Sequence, residues 1–172
     1  ALVYFSPVVT VQTIDPITIP IPRSEIIDSI GKEVKVQFSV KRTPTSDAEW
    51  SADFWLTIAP QLLDDKPVTL AAPTIDAKLT TVSFSAANLV PGLHNLSMRW
   101  MGAHQHDTSR IDVVSNGIHT FSVPADWVKE SRGRMVLINV AVGRKDGGKY
   151  LFSQILRVNI PATSAFGHAT KR

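Results

Sequence analysis

Apolar and polar residues alternate with a period of two along much of the chain. In Val34-Lys-Val36-Gln-Phe38-Ser-Val40-Lys the alternation is unbroken, and residues 137–142, 83–86 and 96–100 read the same way. So do Leu56-Thr-Ile58 and Leu156-Arg-Val158-Asn-Ile160. Successive side chains of a strand point to opposite faces, so this period predicts strands with one buried and one wet face. Turn signals punctuate them: Asp15-Pro16, Thr43-Pro44, Pro91-Gly92, Asn116-Gly117 and Asp146-Gly147-Gly148. Asn-Gly and Asp-Gly tolerate the left-handed backbone of tight hairpins. Two stretches alone read as helical, Arg23 to Ile30 and Ala125 to Arg132. Pro22 and Pro124 precede them, and Gly31 and Gly133 follow, which is the polarity expected of helix ends. Each makes about two turns, too short to stand without tertiary support.

The two helical segments are copies of one pattern. With Pro22 on Pro124, an offset of 102 residues, Gly31 falls on Gly133, Val34 on Val136, Val36 on Ile138, Phe38 on Val140 and Arg42 on Arg144. Ile19 then meets Phe121, Ile21 meets Val123, Ser51 meets Ser153 and Leu56 meets Val158 without a gap. The shared order is strand, Pro, short helix, Gly, strand, hairpin, strand. A period of about 100 residues is that of one immunoglobulin-like sandwich. Residues 61–162 make one complete unit, with strands expected near 67–71, 79–86, 93–101, 109–114, 117–123, 134–143 and 150–160. Trp100, on the third of these, is the expected core tryptophan. Residues 1–60 hold only the later strands of a preceding unit, near 2–13, 17–21, 33–42 and 50–59, and residues 163–172 form a flexible tail. The fold class is therefore all-β: an antiparallel immunoglobulin-like β-sandwich, one complete unit plus a partial preceding one, with two short helical turns. Half a sandwich leaves an apolar sheet face open. Either the chain is a piece of a longer array, or the missing strands come from the second unit, a second copy or a partner.

These features resemble tandem immunoglobulin-like repeats of large bacterial surface or secreted, adhesin-like proteins. The residues that carry the resemblance are Ile17-Thr-Ile-Pro-Ile-Pro22 with Gly31-Lys-Glu-Val-Lys-Val, Phe121-Ser-Val-Pro124 with Gly133-Arg-Met-Val, and Leu70-Ala-Ala-Pro-Thr-Ile75. The resemblance implies an extracellular or cell-surface, non-catalytic module for structure or adhesion, whose partners are other repeats or protein subunits. It transfers no functional residue. The motif's own positions, Pro22, Gly31, Pro124 and Gly133, read as structural.

Composition narrows the chemistry. The 172 residues contain no Cys, which excludes a disulfide scaffold, a thiolate metal site and a cysteine nucleophile. The net charge of +3 is spread without a basic stripe interleaved with aromatics, so nucleic acid is not an expected partner. No apolar run reaches the length of a membrane span. There is no Gly-x-Ser-x-Gly elbow, no phosphate-cradling glycine loop and no evident carboxylate pair, so an enzyme is not expected and no cofactor is implied.

Three features could carry binding. His104, His106 and Asp107 have imidazoles at i, i+2 and an adjacent carboxylate, a donor set suited to a metal; the alternative is a polar loop. Asp64, Asp65, Asp76 and Asp112 read as calcium ligands between units, or as solvated linker. Trp50, Trp55, Trp127 and Tyr150 are candidate stacking residues for a glycan, as in a carbohydrate-binding sandwich, or ordinary amphipathic packing. The opening apolar stretch, within residues 1–14, supports a third reading, a strand-complemented subunit of an oligomeric fibre, capsid or secreted toxin, with a second copy as partner.

Overall fold

The computed structural model describes residues 3–13 and 15–162. The expected tail, 163–172, lies outside them, as do Ala1, Leu2 and Ile14 of the expected pairing strand. The chain divides into two compact units, Ala1–Gln61 and Leu62–Arg172.

The second unit is an all-β, antiparallel sandwich. One sheet is built on two long strands, β9 (His94–Met101) and β13 (Met135–Arg144), which pair along eight residues from Leu137↔Met101 to Arg144↔His94. β10 (Gln105–Asp107) and β11 (Ile111–Asp112) line the free side of β9, and β14 (Leu151–Phe152) and β15 (Leu156–Asn159) line that of β13. The facing sheet has the order β12 (Ile118–Ser122), β8 (Thr81–Ser85), β7 (Thr74–Ile75). A hairpin of β5 (Gln61–Leu63) and β6 (Lys66–Val68) leads into it. Alternation in the sequence becomes the sandwich interior: Leu96, Met98 and Trp100 from β9 and Val136, Ile138, Val140 and Val142 from β13 meet Val82, Phe84 and Phe121 from the opposite sheet. Each of these is essentially inaccessible to water. Without a disulfide, this packing and the two sheets' ladders hold the layers together.

Within the facing sheet, the turn from β7 to β8 is tied by one carboxylate. Asp76 Oδ1 accepts the Thr80 and Thr81 backbone N–H groups at 2.7 and 2.9 Å, and Oδ2 accepts the Thr80 hydroxyl at 2.7 Å. The Thr81 backbone N–H, then the Thr80 hydroxyl, hold the Asp76 carboxyl below the usual carboxylate range. Because the folded value lies below the unfolded one, the turn's contribution is complete above pH ~4 and is lost as pH falls through the folded value. We expect the Thr80 and Thr81 amide signals to titrate with a midpoint below 3.8, the ordinary aspartate value. A midpoint at or above it would exclude the tie.

The first unit contains α1 (Arg23–Ile27) and two small pairs, β1 (Glu33–Val36) with β4 (Phe54–Thr57) and β2 (Ser39–Val40) with β3 (Glu49–Trp50). The expected strands at 2–13 and 17–21 do not form among the described residues. Alternation alone cannot make a strand, because its backbone groups need a neighbouring strand to bond, and among the described residues none lies beside these segments.

Local geometry in this unit reappears 102 residues later. Val34↔Leu56 and Val36↔Phe54 correspond to Val136↔Val158 and Ile138↔Leu156, and Ser39↔Trp50 corresponds to Ala141↔Phe152. The second helix, α2 (Ala125–Glu130), starts after Pro124 as α1 starts after Pro22, with φ/ψ of −61/136° and −58/139°. Gly31 and Gly133 have φ of 75° and 71°, where a side chain would be strained. Their N–H groups donate to the carbonyls of Ile58 and Ile160 at 3.0 and 2.9 Å. Ser51 and Ser153 each donate their own N–H across the ladder, to Phe38 and Val140 respectively, at 2.9 Å. Their hydroxyl oxygens accept the N–H of those same two residues at 3.1 and 2.9 Å.

Candidate functional site

The first unit presents the largest departure from a closed fold. On one face of the β1/β4 pair lie Val34, Val36, Phe54 and Leu56, opposite one another in register, with Phe38 and Val40 continuing the row toward β2. In the second unit the matching positions form the sandwich floor. Ile138, Val140 and Val142 are 0, 0 and 1% exposed, whereas Val36, Phe38 and Val40 are 37, 63 and 47% exposed. The other edge of β1, which in β13 is occupied by β9, has no strand beside it among the described residues. Ile17, Ile19 and Ile21, and Val3, Phe5, Val8 and Val11 before them, are also exposed. An apolar sheet face with an open ladder edge leaves backbone groups to which a further strand could bond.

Trp50 and Trp55 belong to this unit and are each 59% exposed. Trp55 pairs with Lys35, on the side of β4 opposite Phe54 and Leu56. Trp50 pairs with Ser39 at the β2/β3 ladder. Ion pairs decorate the same elements: Lys35 approaches Asp53 at 3.6 Å, and Arg42 forks onto Glu49 at 2.7 and 3.1 Å.

The other two aromatic candidates lie in the second unit and are held by their own chain. Trp127, on α2, stacks on His106 with ring centroids 4.6 Å apart and planes 8° from parallel, and leans on Trp100 at 6.4 Å. It is half-buried and packs on the core, the amphipathic packing weighed above beside glycan stacking: α2 lies against the sheet and His106 of β10 covers the ring. Tyr150 has the Arg110 guanidinium 5.3 Å from its ring centre and accepts an Arg110 N–H on its hydroxyl. Trp100 is fully buried, and its indole N–H donates to Ser131 Oγ at 3.2 Å.

The metal reading of His104, His106 and Asp107 is corrected. His106 turns toward α2, where its Nε2 lies 3.0 Å from Glu130 Oε2. Asp107, next along β10, is gripped by Arg99 at 2.7 and 2.9 Å, and that bond holds its carboxyl below the usual range. His104 precedes β10, in the turn, with its ring edge-on to His106. Alternation along the strand sends adjacent donors to opposite sides, and each already has a partner. Among the described residues no group of three His, Cys, Asp or Glu side chains is placed to hold a metal ion. The calcium reading fares the same way: Asp64 pairs with Arg144 at 3.2 Å, Asp112 with Lys145 at 2.7 Å, and Asp76 ties its own turn. Among the described residues no helix is long and apolar enough to cross a membrane.

An open apolar face on the first unit is expected from its missing strands, but which edge of which strand stays open is not legible in the sequence. The pattern that makes it, Val36, Phe38 and Val40, is the pattern of any half-buried strand, and only the comparison with the matching row in β13 distinguishes it.

The chain matches no protein family and no curated protein. Among solved structures it is similar to a DUF3823 family protein from Bacteroides ovatus ATCC 8483, with 16% identity, a TM-score of 0.36, and coverage of 74% of this chain and 75% of that one.

Proposed function

We propose that this protein is a non-catalytic structural module of an extracellular, adhesin-like array, built from immunoglobulin-like repeats of which the two units are copies. The observation that carries this reading is the offset itself. Six ladder pairs, the helix entry, the glycine bond to the closing strand and the serine bond across the hairpin recur at a constant 102 residues. Two unrelated hairpins share a register by chance far more easily than they share a proline, a left-handed glycine and a serine at the same places in it. Repetition of a whole supersecondary unit is what a spacer requires, since each added copy adds length rather than a new site.

A spacer must resist extension. Pulled from its ends, the second unit is expected to unfold in one event and release about 100 residues, roughly 330–360 Å of contour. Gradual lengthening without a discrete event would remove the structural reading.

A second reading rests on Trp50 and Trp55, two indoles on one unit that are more than half exposed. Stacking on sugar rings uses such surfaces. A saturable glycan titration that Trp50→Ala and Trp55→Ala both abolish would move the protein into the carbohydrate-binding class.

A further inference from the structure

We propose that the open face of the first unit is a receiving site for a segment like residues 62–102 whose β8-type and β9-type strands are not already paired, one strand entering each sheet. The inference rests on the repeat reading above and specifies what an array must supply to this unit.

The second unit shows which strands are missing. Within its residues 105–162, the ladders are β13 with β14 and β13 with β15, and both have a counterpart in the first unit. The remaining strands of that stretch bond only to β8 or β9: β12 to β8, and β10 and β11 to β9. Their counterparts in the first unit, at 16–20, 3–5 and 9–10, are the segments that form no strand. The same two absences account for the exposed side chains. Val113 is inaccessible and Phe121 nearly so, while Val11 and Ile19, 102 residues before them, are exposed. What the first unit lacks is therefore chiefly the equivalents of β8 and β9, with the shorter contact that Leu70 makes to Ser153 and Gln154 in the second unit.

That defines the occupant's chemistry. A β9-like strand would run antiparallel along residues 35–42, in the register β9 keeps with β13. It needs apolar side chains at alternate positions opposite Val36, Phe38 and Val40, where β9 places Trp100, Met98 and Leu96. A β8-like strand would pair with residues 16–20 and set an apolar residue opposite Ile19, as Val82 faces Phe121. A second copy of the chain is a poor donor. Its own β8 and β9 are already paired on both sides in its second unit. Its opening segment, Val3 to Val11, carries Pro7, which cannot donate a ladder bond from the middle of a sheet.

The test adds the missing strands in phase. A copy of residues 62–102 is joined directly ahead of Ala1 of the full chain, and amide hydrogen exchange is read in both proteins. Exchange at residues 16–20 and 35–42 is expected to slow by at least about a hundredfold, as for newly buried ladder amides. The same fusion carrying Leu96→Asp and Met98→Asp in the added copy alone should lose that protection, while the original second unit keeps its own. Unchanged exchange in the first fusion overturns the proposal. So does protection of residues 35–42 in the unmodified chain together with a dimeric mass, which would make a second copy the occupant. The repeat reading fails separately: Gly31 and Ile58 amides exchanging freely while Gly133 and Ile160 are protected would deny that the two units share a fold at all.

Discussion

Replacing Trp100 with alanine is expected to destabilise the second unit by about 3–5 kcal/mol, the range found when a fully buried tryptophan is truncated. The indole lies near the end of β9 with no exposed surface. It touches both the strand layer and the helix. Its ring leans on Trp127, and its N–H is the donor to Ser131 Oγ, which is itself buried just past α2. The substitution therefore leaves a cavity, an unpaired hydroxyl and a helix with less to pack against. In a unit of this size the melting midpoint should fall by more than about 10 °C. Trp100→Phe, which retains most of the volume and loses the N–H, should cost less than half as much. A thermal or guanidinium melt followed by circular dichroism reads both variants. A loss below about 1 kcal/mol for Trp100→Ala would contradict its placement.

The second large effect is a contrast between equivalent positions. Ile138 and Val36 sit 102 residues apart in the same ladder geometry. Ile138→Ala removes a side chain packed on every side and should cost about 2–5 kcal/mol. Val36→Ala alters a side chain facing an open surface and should stay within about 0.5 kcal/mol. Most of the difference measures what lies opposite each residue, since backbone and register match and the extra methylene of Ile138 accounts for only about 1 kcal/mol. Local stability from hydrogen exchange in each unit reports the two costs independently. Equal losses would mean that the first unit's apolar face is covered in solution.

Much of the second unit was legible in the sequence. The alternation at 93–101 and 134–143 fell on β9 and β13, and the proline and glycine punctuation marked α2. The expected strand at 150–160 became two, β14 and β15. Ser153 lies between them and bonds back to Val140, interrupting the run where alternation alone suggested continuity. β10 was missed because Gln105-His106-Asp107 has no apolar member. Its strand state comes from lying beside β9, where the Arg99–Asp107 pair spans the ladder. In the first unit the expected strands at 2–13 and 17–21 failed for the complementary reason: the pattern was present and the neighbour was not. The binding candidates were least legible. A row such as His104-Gln-His-Asp107 contains metal-binding atom types, but whether they converge depends on the face each takes and on which partner reaches it first.

By itself the sequence determined what is local or periodic. It specified which residues can face a common core, where the helices start and stop, and that one pattern recurs at an interval of 102. These follow from backbone sterics and from the spacing of side chains along a strand, which neighbours in the chain settle among themselves. The tertiary structure decided which of those faces are closed. Val140 and Phe38 occupy the same place in the same pattern, yet one is sealed and the other open. Burial and a satisfied ladder edge belong to whatever lies across the sheet, and no residue carries that information in its own identity.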